Sequence, residues 1–318
     1  MVHLTFENPL YLILLLLIPI LIFLHFWLLK HSQEKAIRFA NFEALKGATG
    51  NKTITKNIPL LVLRMTILLS VIVAASGTVM WYESDVSEND FVIAIDVSPS
   101  MGSQDIEPSR IEVAKQVAEW LINNSKTSNI GIVSYSGVTF IDSTPITNKN
   151  SLIKTIKTIQ IKKVGGTDIS GAIITSTNLL LNSDKSRMII LIGDGSDTAS
   201  AFMENGILES INYAKNHHIM IYTVGIGSES GLANYLPEGY NLTTAYNENN
   251  LREISNSTEG SFFKISNLNE FEQMYKEINQ NSEKGIVPFR LDRNFIVLAL
   301  ILLFVEWGLM NTKFRKIP

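Results

Sequence analysis

Three long apolar segments constrain the fold of this chain more than any other feature of its sequence. Each contains at most one fully charged residue, and they lie near the start, before the middle and near the end of the chain. A helix needs roughly 20 mostly apolar residues to cross the hydrocarbon core of a bilayer. We therefore predict three transmembrane helices, at about residues 10–29, 60–82 and 295–310.

The first apolar segment is predicted to be a retained anchor. Residues 1–9 contain no Lys or Arg, and Glu7 is their only charged side chain. A cleaved signal peptide has a basic start, a shorter apolar core and a cleavage site of small residues, and this segment shows none of the three.

Basic residues next to the apolar segments predict how the chain crosses the membrane. The loop over residues 30–57 carries six Lys and Arg against two Glu, and the tail after residue 310 carries three basic residues and no acid. Short loops rich in Lys and Arg stay in the cytoplasm. We therefore expect this loop and this tail on the cytoplasmic side, with the N-terminus and the long middle segment on the other side.

The middle segment, residues 83–285, is acidic. It has 25 Asp and Glu against 15 Lys and Arg. An acidic surface repels phosphate backbones, so we do not expect nucleic acid as a partner. The whole chain has no cysteine, which excludes disulfides, thiol catalysis and zinc–thiolate sites.

Short apolar runs alternate with amphipathic stretches along the middle segment. Phe91–Asp96 is an apolar run that ends in Asp, whereas Ser109–Asn124 has apolar residues at helical spacing. Continuous apolar strands separated by helices predict a mostly parallel sheet covered on both faces. We predict an α/β fold with a doubly wound, Rossmann-like sheet, and domain boundaries at 1–82, 83–290 and 291–318.

The order of the elements also predicts where a ligand would bind. In a parallel sheet, every strand-to-helix loop lies at the edge formed by the carboxyl ends of the strands, where ligands of doubly wound folds bind. Further strands are predicted at 129–136, 138–143, 187–193, 219–227 and 261–265, and further helices at 151–160, 169–182, 202–217, 250–260 and 267–280.

Three of these loops carry carboxylate and hydroxyl groups. The first holds Asp96, Ser98 and Ser100 directly after a strand. The second holds Thr167 at a helix start, and the third holds Asp194 at the end of a strand. Singly, each is more often a helix cap or a turn. Together on one edge, without His or Cys, they indicate a site for a hard divalent cation, Mg²⁺ before Mn²⁺ or Ca²⁺.

Residues 91–279 resemble a von Willebrand factor A (VWA) domain, whose metal-ion-dependent adhesion site reads Asp-x-Ser-x-Ser, then a Thr, then an Asp. The resemblance implies that a partner protein supplies an acidic side chain to the metal. It also implies that Asp96, Ser98, Ser100, Thr167 and Asp194 are the site residues. Gly193 departs from the pattern, since many relatives have Thr before the Asp-Gly pair, but that residue is not a ligand in the family.

The whole chain is similar to the bacterial BatA-like proteins, named for an aerotolerance operon. The start FENPLYLILLLLIPIL, the basic loop, the second span, the VWA segment and the last span follow one another as in that family. With the orientation predicted from the basic residues, we expect a bacterial inner-membrane protein with its VWA domain on the periplasmic side. The resemblance also implies association with a MoxR-type AAA+ ATPase and a role in envelope stress tolerance or in the maturation of other proteins.

Three functions are consistent with these residues. We expect a non-enzymatic module that binds a divalent metal and, through it, a partner's carboxylate, with loop 30–57 as the contact for an ATPase. One alternative is a structural scaffold whose metal site is unoccupied. Another is a metal-dependent hydrolase, but that would need a general base, and the three site loops contain no His or Lys.

Overall fold

The chain divides into two units in the computed structural model. One unit comprises Met1–Tyr82 with Pro288–Pro318, and the other comprises Glu83–Val287. The structure describes residues 3–38, 58–85, 89–125, 128–162, 164–198, 205–228, 246–265 and 284–312.

Strands and helices alternate along most of the described chain. The strands are β1 (His3–Phe6), β2 (Thr78–Asp85), β3 (Asn89–Asp96), β4 (Ile130–Tyr135), β5 (Thr139–Ile146), β6 (Ser186–Gly193), β7 (Ile219–Gly225), β8 (Phe262–Lys264) and β9 (Lys284–Arg290). The α-helices are α1 (Leu17–Arg38), α2 (Ile58–Ala75), α3 (Arg110–Asn124), α4 (Lys149–Thr158), α5 (Ile169–Leu180), α6 (Gly206–Asn216), α7 (Glu248–Ser257) and α8 (Asp292–Asn311). Short 3₁₀ helices cover Pro9–Leu16 and Pro99–Gly102.

Three helical segments of the first unit are long and apolar enough to cross a membrane. They cover Pro9–Leu28, Ile58–Ala75 and Asp292–Asn311, with mean hydropathies of 2.6, 2.4 and 1.9. Large apolar side chains such as Phe23 and Phe304 point outward, with 70% and 74% of their surface exposed. Such exposure is unfavourable in water and favourable in lipid, so the chain is a membrane protein.

The second apolar helix is shorter than the sequence analysis predicts. α2 ends at Ala75, and the residues up to Tyr82 belong to the turn and to strand β2. Gly77 has a φ of +64°, a left-handed conformation that favours glycine and ends helices. The β-branched and aromatic residues that follow suit a strand. Trp81 is buried there, and its indole N–H donates to the Thr5 hydroxyl at 2.7 Å.

The first apolar helix is longer than predicted. α1 continues to Arg38, past Lys30, where the basic loop is predicted to begin. The rest of that loop, residues 39–57, lies outside the described residues. The basic tail over 313–318 and the helix predicted at 267–280 lie outside them as well.

An ion pair joins two of the apolar helices. Nε of Arg64 in α2 donates to Oε1 of Glu306 in α8 at 2.6 Å. Charged side chains within apolar helices are costly unless they are paired. This pair therefore offsets the cost of the two charges that interrupt the predicted spans, and it ties α2 to α8.

The second unit is built on a six-stranded sheet in the order β5-β4-β3-β6-β7-β8. Neighbouring strands are parallel except β4 and β5, which are antiparallel. The predicted mostly parallel sheet is therefore confirmed. A separate three-stranded sheet has the order β1-β2-β9, and none of its three strands is predicted from the sequence.

Alternate residues of β3 face two hydrophobic cores. Ile93 and Ile95 belong to a buried cluster with residues of α3 and α4. Val92 and Ala94 belong to a second cluster with residues of α5, α6 and α7. Burial on both faces explains why this strand is continuously apolar in sequence.

The order of strands in the sheet reverses between β3 and β6. After β3 it adds β4 and β5 on one side, and it then returns to add β6, β7 and β8 on the other. At such a switch point the loops diverge and leave a crevice outside the carboxyl ends of the strands. β3 ends at Asp96 and β6 ends at Gly193, so Asp96 and Asp194 flank this crevice.

Candidate metal site

Two predicted site carboxylates meet at the crevice between β3 and β6. Asp96 and Asp194 are both 0% exposed. A Cβ added to Gly193, the last residue of β6, would lie 2.9 Å from the Cβ of Asp96, so the two strand ends are closely packed. The pairing of β3 with β6 thus brings together two carboxylates that are far apart in the sequence.

The loop after Asp96 is held by hydrogen bonds within the predicted motif. The backbone N–H of Ser98 donates to Oδ1 of Asp96 at 2.8 Å, and the hydroxyls of Ser98 and Ser100 lie 3.0 Å apart. A 3₁₀ helix begins at Pro99, but the Ser98 side chain makes no capping hydrogen bond to it. The interpretation of this loop as a simple helix cap is therefore not supported.

Thr167 lies buried at the same edge and does not cap the following helix. The cap of α5 is Asp168, whose Oδ1 accepts from the N–H of Gly171 at 2.8 Å. The N–H of Thr167 donates to the Thr198 hydroxyl at 2.8 Å, and its carbonyl accepts from the Thr198 N–H at 3.1 Å. Since Thr198 follows Asp194 in the same loop, these bonds anchor Thr167 to the loop of the second carboxylate.

Burial makes the charged form of Asp96 costly. Desolvation and the neighbouring charge of Asp194 raise the pKa of Asp96 to about 8, against the opposing hydrogen bonds from Ser98. Among the described residues, buried Oδ2 of Asp96 has no hydrogen-bond partner. A buried polar atom without a partner lowers stability, so this oxygen is where a bound cation would bring a gain.

A buried arginine that the sequence analysis misses contacts the second carboxylate. Arg110 is 0% exposed, and its Nη1 donates to Oδ2 of Asp194 at 3.2 Å. Its Nε and Nη2 donate to the two oxygens of Asp105, each at 2.7 Å. One sequence signal points to it, because Arg110 is a basic residue in the first turn of α3, where the helix dipole favours acids.

Asp105 connects this arginine to a further loop. Its Oδ2 accepts from the N–H and the hydroxyl of Ser228, after β7, at 2.9 and 3.0 Å. Burial acts to raise the pKa of Asp105, but the hydrogen bonds from Arg110 and Ser228 and the charge of Arg110 outweigh it and lower that pKa to about 2. Asp105 is therefore a charged partner of Arg110 at neutral pH.

Gly193 makes room for a tyrosine beside the site. A Cβ at Gly193 would lie 2.7 Å from the hydroxyl oxygen of Tyr135, which is fully buried in β4. That hydroxyl donates to the Ile192 carbonyl at 3.5 Å. Burial and the charges of Asp96 and Asp194 raise the pKa of Tyr135 well above its usual value. The departure at Gly193 from the family's usual Thr thus has a local reason, since a side chain there would collide with Tyr135.

The oxygens at this edge fit a hard divalent cation. Carboxylate and hydroxyl oxygens are the ligands that Mg²⁺ and Ca²⁺ prefer, and one carboxylate oxygen here is buried without a partner. Within the described parts of the chain, no group of three or more His, Cys, Asp or Glu side chains is placed to hold a metal. Hydroxyls and a ligand from outside would therefore have to complete a shell around the two aspartates.

Two family models match the chain. Residues 90–277 match the model of the von Willebrand factor type A domain. Residues 1–77 match the model described as aerotolerance regulator N-terminal. The first match covers more than half of the chain, and the two together cover both the first two apolar helices and the α/β unit.

Known relatives are similar to most of this chain at low identity. An uncharacterized protein of Borreliella burgdorferi is 27% identical over 327 aligned positions, which cover 95% of this chain and 94% of the relative. A UPF0353 protein of Mycobacterium sp. (strain KMS) is 24% identical over 288 positions, with 86% and 84% covered.

Solved structures share the fold. The conserved hypothetical protein BatB from Bacteroides thetaiotaomicron has a TM-score of 0.55 at 24% identity, covering 62% of this chain and 100% of that one. An aerotolerance-related membrane protein from Bacteroides fragilis has a TM-score of 0.53 at 23% identity, with 62% and 98% covered. At these identities the likeness concerns the fold alone.

Proposed function

This chain belongs to the von Willebrand factor type A domain family, and we propose that it is a membrane-anchored, non-enzymatic adhesion module. Mg²⁺, or else Mn²⁺ or Ca²⁺, would bind at the sheet edge and offer an open position to a carboxylate of a protein partner. The residues that would hold it are Asp96, Ser98, Ser100, Thr167 and Asp194.

One observation carries this proposal. Oδ2 of Asp96 is fully buried, faces a second carboxylate and has no hydrogen-bond partner among the described residues. Such an arrangement is unfavourable by itself, and a divalent cation would offset both the desolvation and the repulsion. Without metal, protonation of Asp96, whose pKa is raised to about 8, would be the alternative way to relieve this cost.

The contacts around the site favour binding over catalysis. A hydrolase that used these serines would need a base next to a hydroxyl. Instead, the hydroxyls of Ser98 and Ser100 lie against each other, and the nearby charges of Arg110 and Asp105 are paired. We therefore assign no catalytic residue.

Calorimetry on the full-length protein in a nonionic detergent tests the metal. We expect Mg²⁺ binding that is lost in Asp96→Ala and retained in Asp142→Asn, which removes an exposed carboxylate of β5. If the wild-type protein shows no binding at millimolar Mg²⁺, it is a scaffold and the proposal fails.

A capture experiment from detergent-solubilised membranes tests the partner. The tagged wild-type protein should retain a membrane or exported protein in Mg²⁺ and release it in EDTA, whereas Asp96→Ala should not retain it in either. Retention that is identical in EDTA, or identical in Asp96→Ala, would show that the contact does not pass through the metal.

We also propose that the α/β unit lies on the periplasmic side of a bacterial inner membrane. Because the chain contains no cysteine, single cysteines report sidedness directly. In spheroplasts, an impermeant maleimide should label Asp142→Cys at once and Thr312→Cys only after permeabilisation, since both positions are exposed. The opposite labelling pattern would invert the topology.

The match of residues 1–77 to the aerotolerance regulator model supports a role in envelope stress tolerance or in the assembly of protein complexes. In this proposal the basic loop 30–57 contacts a MoxR-type AAA+ ATPase in the cytoplasm. Replacing residues 39–57 with a neutral linker should abolish co-purification of the ATPase. Undiminished co-purification would refute this contact.

A further inference from the structure

The Arg110–Asp105 pair lies beside the candidate metal site at a cost to the protein. Arg110 is the largest of the fully buried side chains, and it stands in the first turn of α3, where the helix dipole disfavours a cation. Burying a guanidinium also requires desolvating it. A placement this unfavourable calls for a compensating role, and the contacts of Arg110 point to Asp194.

The guanidinium is held in one position. Two of its nitrogens form the fork to Asp105, and the third donates to Asp194. A Cβ at Gly227 would lie 3.1 Å from Cζ of Arg110, so the glycine leaves the space that the guanidinium fills. Asp105 is fixed in turn by Ser228, through both its N–H and its hydroxyl.

This geometry places one full positive charge beside Asp194, a proposed metal ligand. Oδ2 of Asp194 already accepts from Arg110, and Oδ1 accepts from the N–H and the hydroxyl of Ser196 at 3.0 and 2.6 Å. A fixed cation beside a carboxylate reduces the attraction of that carboxylate for another cation. The negative charge of Asp105 counteracts this reduction, because it is bonded to the same guanidinium.

We propose that the Arg110–Asp105 pair sets the metal affinity of the site. Arg110 positions Asp194 and lowers the affinity of its carboxylate for a cation. Asp105 offsets most of that decrease because its negative charge neutralises Arg110. This inference rests on the proposed metal-binding function. Neither residue is a metal ligand in this scheme, and both act through Asp194.

The opposite charges of Arg110 and Asp105 affect how the loaded site receives a partner's carboxylate. Asp96 and Asp194 together neutralise a divalent cation, and the Arg110–Asp105 pair adds no net charge. Counted over the cation and these four side chains, the loaded site has no net charge. If Asp105 were present without Arg110, the same site would bind a cation more tightly and would repel the carboxylate of a partner.

The test is a double-mutant cycle on the full-length protein in nonionic detergent, in which calorimetry measures the Mg²⁺ affinity of each variant. Arg110→Gln should raise the affinity about tenfold, and Asp105→Asn should lower it about tenfold. The double variant should return to within about threefold of wild type, because it removes both charges. A purely structural pair would instead give losses in both single variants.

Three controls keep the result interpretable. Lys115→Gln and Glu112→Gln remove charges from a surface ion pair on the same helix and should leave the affinity unchanged. Asp96→Ala gives the calorimetric signal expected when Mg²⁺ does not bind at the metal site. If Arg110→Gln does not fold, Arg110→Met takes its place. It also removes the charge while keeping a long unbranched side chain in the buried space, and it should raise the Mg²⁺ affinity about tenfold.

Two outcomes would overturn the inference, and they are distinguishable. If wild type binds Mg²⁺ but Arg110→Gln and Asp105→Asn shift the affinity in the same direction, or not at all, the pair does not set the affinity. If wild type gives the same signal as Asp96→Ala, the proposed metal function fails, and this inference fails with it.

Discussion

Asp90 and Asp96 are buried carboxylates near opposite ends of the same strand, and their surroundings differ. Asp90 accepts from the N–H and the side-chain amide of Asn129 at 2.8 and 2.9 Å, and from the Ser183 hydroxyl at 2.7 Å. Asp96 accepts from the N–H of Ser98 through Oδ1, while its Oδ2 has no partner among the described residues.

The comparison teaches that burial of a carboxylate does not by itself mark a functional site. At the amino end of β3, neighbouring loops satisfy both oxygens, and Asp90 ties those loops to the sheet. At the carboxyl end, the charge that acts most strongly on Asp96 is that of another carboxylate, Asp194, and Oδ2 of Asp96 has no hydrogen-bond partner among the described residues. The first arrangement is complete within the protein, whereas in our proposal a bound cation completes the second.

The largest expected effect is on metal affinity. Asp96→Asn should weaken Mg²⁺ binding at least ~100-fold, or about 3 kcal/mol, because it removes one of two charged ligands. Asp90→Asn, the matched change near the other end of the strand, should leave the affinity unchanged. Calorimetry on both variants measures this, and equal losses would break the contrast between the two ends.

The pH dependence of stability should come next. The pKa of Asp96 in the folded chain, about 8, exceeds its ordinary value of 3.8, so the folded state binds the extra proton between those values. Its contribution should therefore lower the free energy of unfolding as pH rises from about 4 to 8.

Melting curves of the full-length protein in detergent at several pH values, without metal, measure this effect. Asp96→Asn should flatten the decline relative to wild type, and saturating Mg²⁺ should flatten it in wild type but not in the variant. A decline of the same size in wild type and variant would assign it to other groups.

Asp90→Ala should reduce stability without affecting the metal site. The change removes the carboxylate that accepts three partly buried hydrogen bonds from Asn129 and Ser183, at a cost of about 2 kcal/mol. The melting temperature should fall by about 4–8 °C. An unchanged melting temperature would show that water replaces the carboxylate without penalty.

The smallest expected effect concerns the residue before Asp194. Gly193→Thr should destabilise the protein by about 1–2 kcal/mol, because its Cβ would collide with the Tyr135 hydroxyl and with Asp96. Tyr135→Phe in the same chain should recover part of this loss. Thermal melting of the single and double variants measures it, and a neutral Gly193→Thr would mean that the Tyr135 side chain shifts freely.

Sequence patterns predicted the mostly parallel sheet because burial on both faces makes its strands uniformly apolar. The same reasoning misplaced the end of the second span. Residues 79–82 are apolar or aromatic, but hydrophobicity indicates burial and not conformation. Gly77 in a left-handed conformation turns the chain into β2, where Trp81 packs.

The site was predictable in part for a related reason. Asp96 and Asp194 each follow a strand, so the order of elements alone places them on one edge. Arg110 and Asp105 were not predictable in this way, because their roles depend on how three loops meet at the sheet edge. The sequence marks Arg110 only as an unusual residue in the first turn of a helix.

The sequence by itself determined the three apolar helices, the α/β class and the set of oxygen-bearing residues, because hydropathy, periodicity and order along the chain are local properties. The tertiary structure alone decided which buried carboxylate is satisfied and which is not, and which charge lies against Asp194. Those outcomes depend on contacts between residues distant in sequence, and the energy of a buried charge is set by the atoms that surround it.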